Sequence, residues 1–290
     1  MWVIYALLSA FFAASTDPIA KRALKVSDEY LIGWGMLLFS LPFLAIPFFT
    51  HEIAPFNIEL AKTLVLVVSF EIVAIILYYK ALRLTDISLS VPFLALTPIF
   101  AIFTAFLILG EGISPYGAIG IGLITAGAYS LNWSEARFGF AHPIKALLAN
   151  KGSLYMVMVA VLFSVTSTIS KKALLLSTAY SIPFIYNLFI VAIMCPVVLY
   201  RVKTGRSRIT LDKNTIFIYM ALGLFSAISS IFYFKAIGLA NVAYVISIKR
   251  LSLLMSVGYG WLLFKERDIR IRFLSTFCMF LGVLLIILTR

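Results

Sequence analysis

Residues 62–82 read KTLVLVVSFEIVAIILYYKAL. Between Lys62 and Lys80 the only charged residue is Glu71. A helix needs about 20 mostly apolar residues to cross the hydrocarbon core of a bilayer, whereas a barrel strand is about 10 residues of alternating character. This run is too long and too evenly apolar for a strand, so it predicts a membrane-spanning helix. Working outward, the same reading finds nine more spans, at 2–20, 30–50, 87–109, 114–133, 153–171, 180–200, 214–236, 242–264 and 270–289. The expected fold class is an all-α integral membrane protein with ten transmembrane helices, and the whole of 1–290 forms one domain.

Composition supports that class. The chain has 290 residues, of which 62% are hydrophobic and 12% charged. Soluble domains carry about 45–50% and about 25%. A mean hydropathy of +1.05 points the same way. A soluble globule would expose most of this apolar surface, and a disordered chain would not contain it. The pI of 9.7 suggests no nucleic-acid partner, because the basic residues form no arm. The start, Met1-Trp2-Val3-Ile4, lacks the basic region and cleavage site of a signal peptide and reads as the first span. Cys195 and Cys278 sit inside apolar runs, and His51 and His142 in loops. No metal spacing, phosphate-binding Gly-rich loop or nucleophile motif occurs, so no metal, cofactor or catalytic residue is expected, and the chain is not read as an enzyme.

The charges orient the spans. Lys21, Arg22 and Lys25 follow the first, Lys80 and Arg83 the third, and Arg137, Lys145 and Lys151 the fifth. Five more follow the seventh (Arg201, Lys203, Arg206, Arg208, Lys213) and four the ninth (Lys265, Arg267, Arg270, Arg272). The opposite face has Lys62, Lys171, Lys172, Lys235 and Arg290. Positive charge marks the cytoplasmic side, so both termini are expected outside. The localisation that follows is multi-pass in a prokaryotic plasma or inner membrane.

The chain also repeats. Lys21-Arg22-Ala23-Leu24 matches Lys171-Lys172-Ala173-Leu174 at an offset of 150. Tyr78-Tyr79-Lys80-Ala81-Leu82 matches Tyr233-Phe234-Lys235-Ala236-Ile237 at 155, an offset that also pairs Asp86 with Asn241 and Glu111 with Glu266. Each match falls on the corresponding helix of its half. The expected halves are about 1–135 and 150–290. Five crossings per half turn the second copy upside down, and inverted repeats of this kind bind substrate near mid-membrane at the repeat interface.

Ten spans in two halves, with Gly110-Glu111 and Lys265-Glu266 after the fourth and ninth, resemble the drug/metabolite transporter superfamily, most closely its EamA-type permeases. The stretch Ile248-Lys249-Arg250-Leu251-Ser252 is also similar to the Lys-Arg pair of the phosphate-translocator branch. That resemblance implies a substrate-binding role for Lys249 and Arg250. The loop after the second span departs from common EamA members: it holds His51, Glu52, Glu59 and only Lys62, while the loop after the seventh is basic. This suggests a flipped orientation.

Charges within spans cost about 2.5–3.5 kcal/mol at a helix centre and therefore face protein or water. Lys249 and Arg250 lie two turns into the ninth span. They read as an anionic subsite or as ion-pair partners of Glu71 or Asp17. Glu71, mid-way along the third span, is a proton-coupling carboxylate or a counter-ion. Asp17 precedes Pro18 and sits at a cavity floor or caps a kink. Tyr78, Tyr79 and Tyr233 line the path or pack at the interface, beside the snorkelling lysines Lys80 and Lys235. Trp34 and Trp261 are lesser cavity candidates. Pro92 and Pro98 on the fourth span, and Ser247 and Ser252 on the ninth, make these two spans the expected cavity walls. Ala118, Gly122 and Ala126 form a small-residue stripe for packing within the chain.

The expected function is a secondary transporter of a small polar or anionic metabolite, such as an organic anion or amino acid, working by alternating access. The partners are that substrate and the lipid bilayer, in a monomer or weak dimer. The rivals are an intramembrane enzyme acting on lipid head groups, which would need a clustered acid–base or nucleophile set, and a structural membrane protein, which leaves Lys249-Arg250 unexplained.

Overall fold

The computed structural model describes residues 1–25, 27–53, 55–85, 91–130, 151–207, 213–255 and 269–288. These residues form α-helices and one 3₁₀ segment, without a strand among them. In chain order the helices are α1 (Trp2–Ala23), α2 (Glu29–Thr50), α3 (Ile58–Leu84), α4 (Thr97–Leu109), α5 (Pro115–Ser130), α6 (Lys151–Leu175), α7 (Ile182–Lys203), α8 (Lys213–Leu239), α9 (Val242–Lys249) and α10 (Ile269–Leu288). Six of them, α1, α2, α3, α6, α7 and α8, are long and apolar enough to cross a membrane. Shorter apolar helical stretches cover Phe93–Leu109, Pro115–Gly127 and Phe277–Leu288. Arg137, His142 and Lys145 lie outside the described residues, as do Trp261 and Glu266.

Local chemistry sets the helix ends. Asp28 and Asn57 sit in extended backbone and accept hydrogen bonds from Leu31 N and Leu60 N, each at 2.8 Å, which caps α2 and α3. Gly110 ends α4 with φ +68°, the left-handed conformation that costs glycine nothing. The sharp exit brings Glu111 back under the bundle.

Two spans expected to be continuous are broken. In place of one helix over 87–109, a 3₁₀ segment Val91–Leu96 precedes α4. Pro98 sits in the first turn of α4, where its missing N–H leaves no bond to make. In place of one helix over 242–264, α9 stops at Lys249, and helix resumes over 252–255. No proline causes this break. The backbone tightens instead: Arg250 N, Leu251 N, Leu253 N and Leu254 N all bond to the carbonyl three residues back, at 3.0–3.1 Å. Mid-helix 3₁₀ geometry of this kind often marks a functional hinge.

Lipid tails are as apolar as leucine, so close helix contact rests on small residues and polar ties. α1 packs along α8, α3 along α6, α2 along α8, and α5 along α10. A Cβ on Gly223 of α8 would lie 2.5 Å from the Phe39 backbone of α2, and one on Gly120 of α5 would lie 2.7 Å from Gly282 O of α10. The expected small-residue stripe turns out differently. Gly122 has nothing within 4 Å, and Gly122 and Ala126 are exposed. Gly117 and Gly120 make the close approach, because the buried face of α5 carries Ile121 and Ile124.

Candidate functional site: a charged cavity between the helices

A cavity of about 260 Å³ lies in the middle of the bundle, walled by α1, α2, α3, α6, α7, α8 and α9. It collects most of the residues singled out in the sequence. Asp17, Glu71, Tyr78, Tyr79, Tyr233, Lys249 and Arg250 all line it. Ser247 does not. It is fully buried and turns its hydroxyl onto its own helix, donating to Ala243 O at 2.7 Å. A serine inside a helix satisfies itself in this way when no better acceptor is near. Ser252 does reach the cavity.

The break after α9 sets the two cations. Arg250 is the C-cap of α9, and the residue is 8% exposed. Its Nη2 donates to Thr97 Oγ1 at 2.8 Å, while its Nε is buried without a hydrogen-bond partner. The Lys249 ammonium stands 4.4 Å from the centre of the Tyr233 ring, within cation–π range. The Tyr233 hydroxyl, next to Ser167, is likewise buried without a partner. α9 is eight residues long, about 12 Å at 1.5 Å per residue. Its negative dipole end favours the two cations by about 0.3–1 kcal/mol per charge.

The acids stand opposite. Tyr78 donates to Asp17 Oδ1 at 2.5 Å, so the two expected lining residues bind each other. The Glu71 carboxylate faces the hydroxyls of Thr166 and Tyr186 and lies in the field of Lys249, without a direct ion pair. Lys249 and Arg250 are therefore not consumed by salt bridges to Glu71. Tyr79 donates to Met36 Sδ at 3.1 Å.

Several wall residues escaped the sequence reading. Ser167 and Ser170 on α6, and Ser226 and Ser230 on α8, give the cavity hydroxyls. The signal was present as a run of Ser and Thr between Ser164 and Ser170, inside an otherwise apolar span. Tyr186 and Asn187 add polar groups from α7. Trp34 is structural, donating to Val191 O at 3.0 Å.

Both ends of the bundle are tied. At one end, Lys171 pairs with Glu111 and donates to Ala240 O at 2.7 Å, and Glu111 Oε2 accepts Val242 N at 3.0 Å. Glu111 thus also caps the positive dipole end of α9. At the other end, Lys21 donates to Leu82 O and Thr85 O, and Arg201 pairs with Asp28 at 3.3 Å while lying over Tyr30. Lys80 and Lys235 lie over Tyr155 and Tyr5 at 5.2 and 5.8 Å. His51 stacks on Tyr180 at 3.7 Å. Among the described residues no cluster of His, Cys, Asp or Glu is arranged to hold a metal ion.

The sequence model of the EamA-like transporter family matches residues 1–133 and 150–288. No curated protein matches the chain at a significant level. Among solved structures, a crystal structure of another protein superposes with a TM-score of 0.75 and 14% identity, covering 99% of this chain and 96% of that one. At that identity the likeness shows the fold.

Proposed function

Because this chain belongs to the EamA-like transporter family, a family of multi-pass membrane permeases for small molecules, we propose that it is a secondary transporter of a small polar or anionic metabolite. The substrate's negative group meets Arg250 and Lys249. The observation that carries this reading is that Lys249 and Arg250 line one cavity while neither forms a salt bridge with Glu71. A hydrogen bond to a charged group is worth about 1.5–3 kcal/mol, and an incoming oxyanion gains it from these cations.

The mechanism follows from ten spans in two inverted repeats that rock about the cavity. Contacts that recur at the sequence offsets support the repeat. Lys21 to Thr85 O corresponds to Lys171 to Ala240 O. Lys80 over Tyr155 corresponds to Lys235 over Tyr5. Arg201 over Tyr30 corresponds to His51 over Tyr180. The two 3₁₀ breaks also coincide at an offset of 155. The charge bias supports a topology with both termini outside a prokaryotic plasma or inner membrane. Glu71 and Asp17 are the counter-charges, and Glu71 is the candidate for proton coupling.

The test is uptake into liposomes from a panel of phosphates, carboxylates and amino acids, with and without a pH gradient. Arg250→Ala and Lys249→Ala are expected to cut uptake of the best anion at least tenfold, the order expected from losing a charged hydrogen bond. Unchanged uptake in both variants rejects the anionic subsite. Wild-type uptake indifferent to the gradient removes the coupling role of Glu71.

A further inference from the structure

Thr97 does not line the cavity, yet it holds a residue that does. It is fully buried at the first position of α4, directly after the 3₁₀ segment. Its one hydroxyl proton goes to Leu94 O at 2.7 Å. The oxygen is thereby left as an acceptor, and what it accepts is Arg250 Nη2 at 2.8 Å. Guanidinium is planar with five N–H donors in a fixed fork. Anchoring one Nη group therefore restrains the orientation of the whole guanidinium. The bond also joins the two breaks, because Thr97 follows the one in the first half and Arg250 sits in the one of the second.

We infer that Thr97 is a positioning residue for the anion subsite, holding the Arg250 guanidinium in the cavity wall that Tyr233 also lines. This rests on the anionic reading of the site. Threonine suits the task because its Oγ bonds back to a local carbonyl and keeps a lone pair for the cation. Valine has the same shape without either bond.

The experiment uses full-length protein in nanodiscs and liposomes, with Thr97→Val and Thr97→Ser in the wild-type and Arg250→Ala backgrounds. Uptake is measured for the best-transported anion of the panel, and Arg250 modification by phenylglyoxal is followed by mass spectrometry. In the wild-type background, Thr97→Val is expected to raise KM about tenfold, the order of losing a charged hydrogen bond, with kcat nearly kept. It is also expected to speed modification of Arg250 several-fold. Thr97→Ser is expected to behave as wild type in both assays. In the Arg250→Ala background, Thr97→Val is expected to add nothing. If Arg250→Ala abolishes uptake while Thr97→Val changes neither KM nor the modification rate, the positioning role is overturned and the anionic reading stands. If Arg250→Ala leaves uptake intact, or no anion of the panel is carried, the anionic reading falls. The modification rate alone then decides whether Thr97 holds the guanidinium.

Discussion

Tyr78 and Tyr233 occupy matching places in the two halves and do opposite things. Tyr78 donates to Asp17 at 2.5 Å, whereas the Tyr233 hydroxyl has no partner. Their phenylalanine variants should therefore separate. Tyr78→Phe is expected to cost about 1.5–3 kcal/mol, the net worth of a hydrogen bond to a charged group, and to lower the unfolding midpoint in detergent. Tyr233→Phe is expected to leave that midpoint within about 0.5 kcal/mol, because it breaks no bond, and to weaken anion uptake. Equal loss of stability in both variants would contradict this. The tyrosines, the lysine–arginine pair and the two acids were readable in the sequence, because a charge in a span must face something other than lipid. Their partners were not. Which donor meets which acceptor depends on how helices about 100 residues apart meet, and the cavity hydroxyls of α6 and α8 carry no charge to draw attention.

At the scale of an element, α9 is a short dipole with an acid at its start and two cations at its end. Glu111 carries the first of these roles while also pairing with Lys171, which is 9% exposed. Removing one partner of a fully buried pair costs about 3–5 kcal/mol; here the side chains are 11% and 18% exposed and Lys171 keeps Ala240 O as an acceptor, so the loss is smaller. Glu111→Ala is expected to lose about 1–3 kcal/mol, read as a fall in the thermal midpoint. Replacing Lys171 with methionine in the same chain is expected to restore most of it. A single variant as stable as wild type would show that Lys171 escapes to solvent. The positions of the long helices could be read from hydropathy to within a few residues. The interruption of the ninth could not, since it comes from backbone tightening at Arg250, where neither glycine nor proline announces it. The fourth carried its notice in Pro92 and Pro98.

Across the whole molecule, the seams decide what can move. α2 meets α8 at Gly223, where a Cβ would press on the Phe39 backbone. Gly223→Ala is expected to force the helices apart at about 1–3 kcal/mol and to lower the unfolding midpoint. Gly122→Ala, which faces open space, is expected to leave it unchanged. Similar melts for the two would mean that the α2–α8 seam yields freely. The membrane class was evident from composition, but the seams were not, because every span is rich in small residues and only the packed structure chooses among them. One further property follows from where the charges fall. Asp17 and Glu71 belong to the first half, while Lys249 and Arg250 belong to the second. At the corresponding positions the other copy has Ser167, Ser226, Leu94 and Ala95. A pair of halves alike in every respect would rest equally in either tilt. Under the proposed rocking mechanism, exchanging the tilts would not exchange the charges, so the two resting populations would be unequal even on an empty protein with equal solutions on both sides. On that proposal the charges assigned to substrate recognition would also act as a bias on the machine, setting which face it shows while it waits.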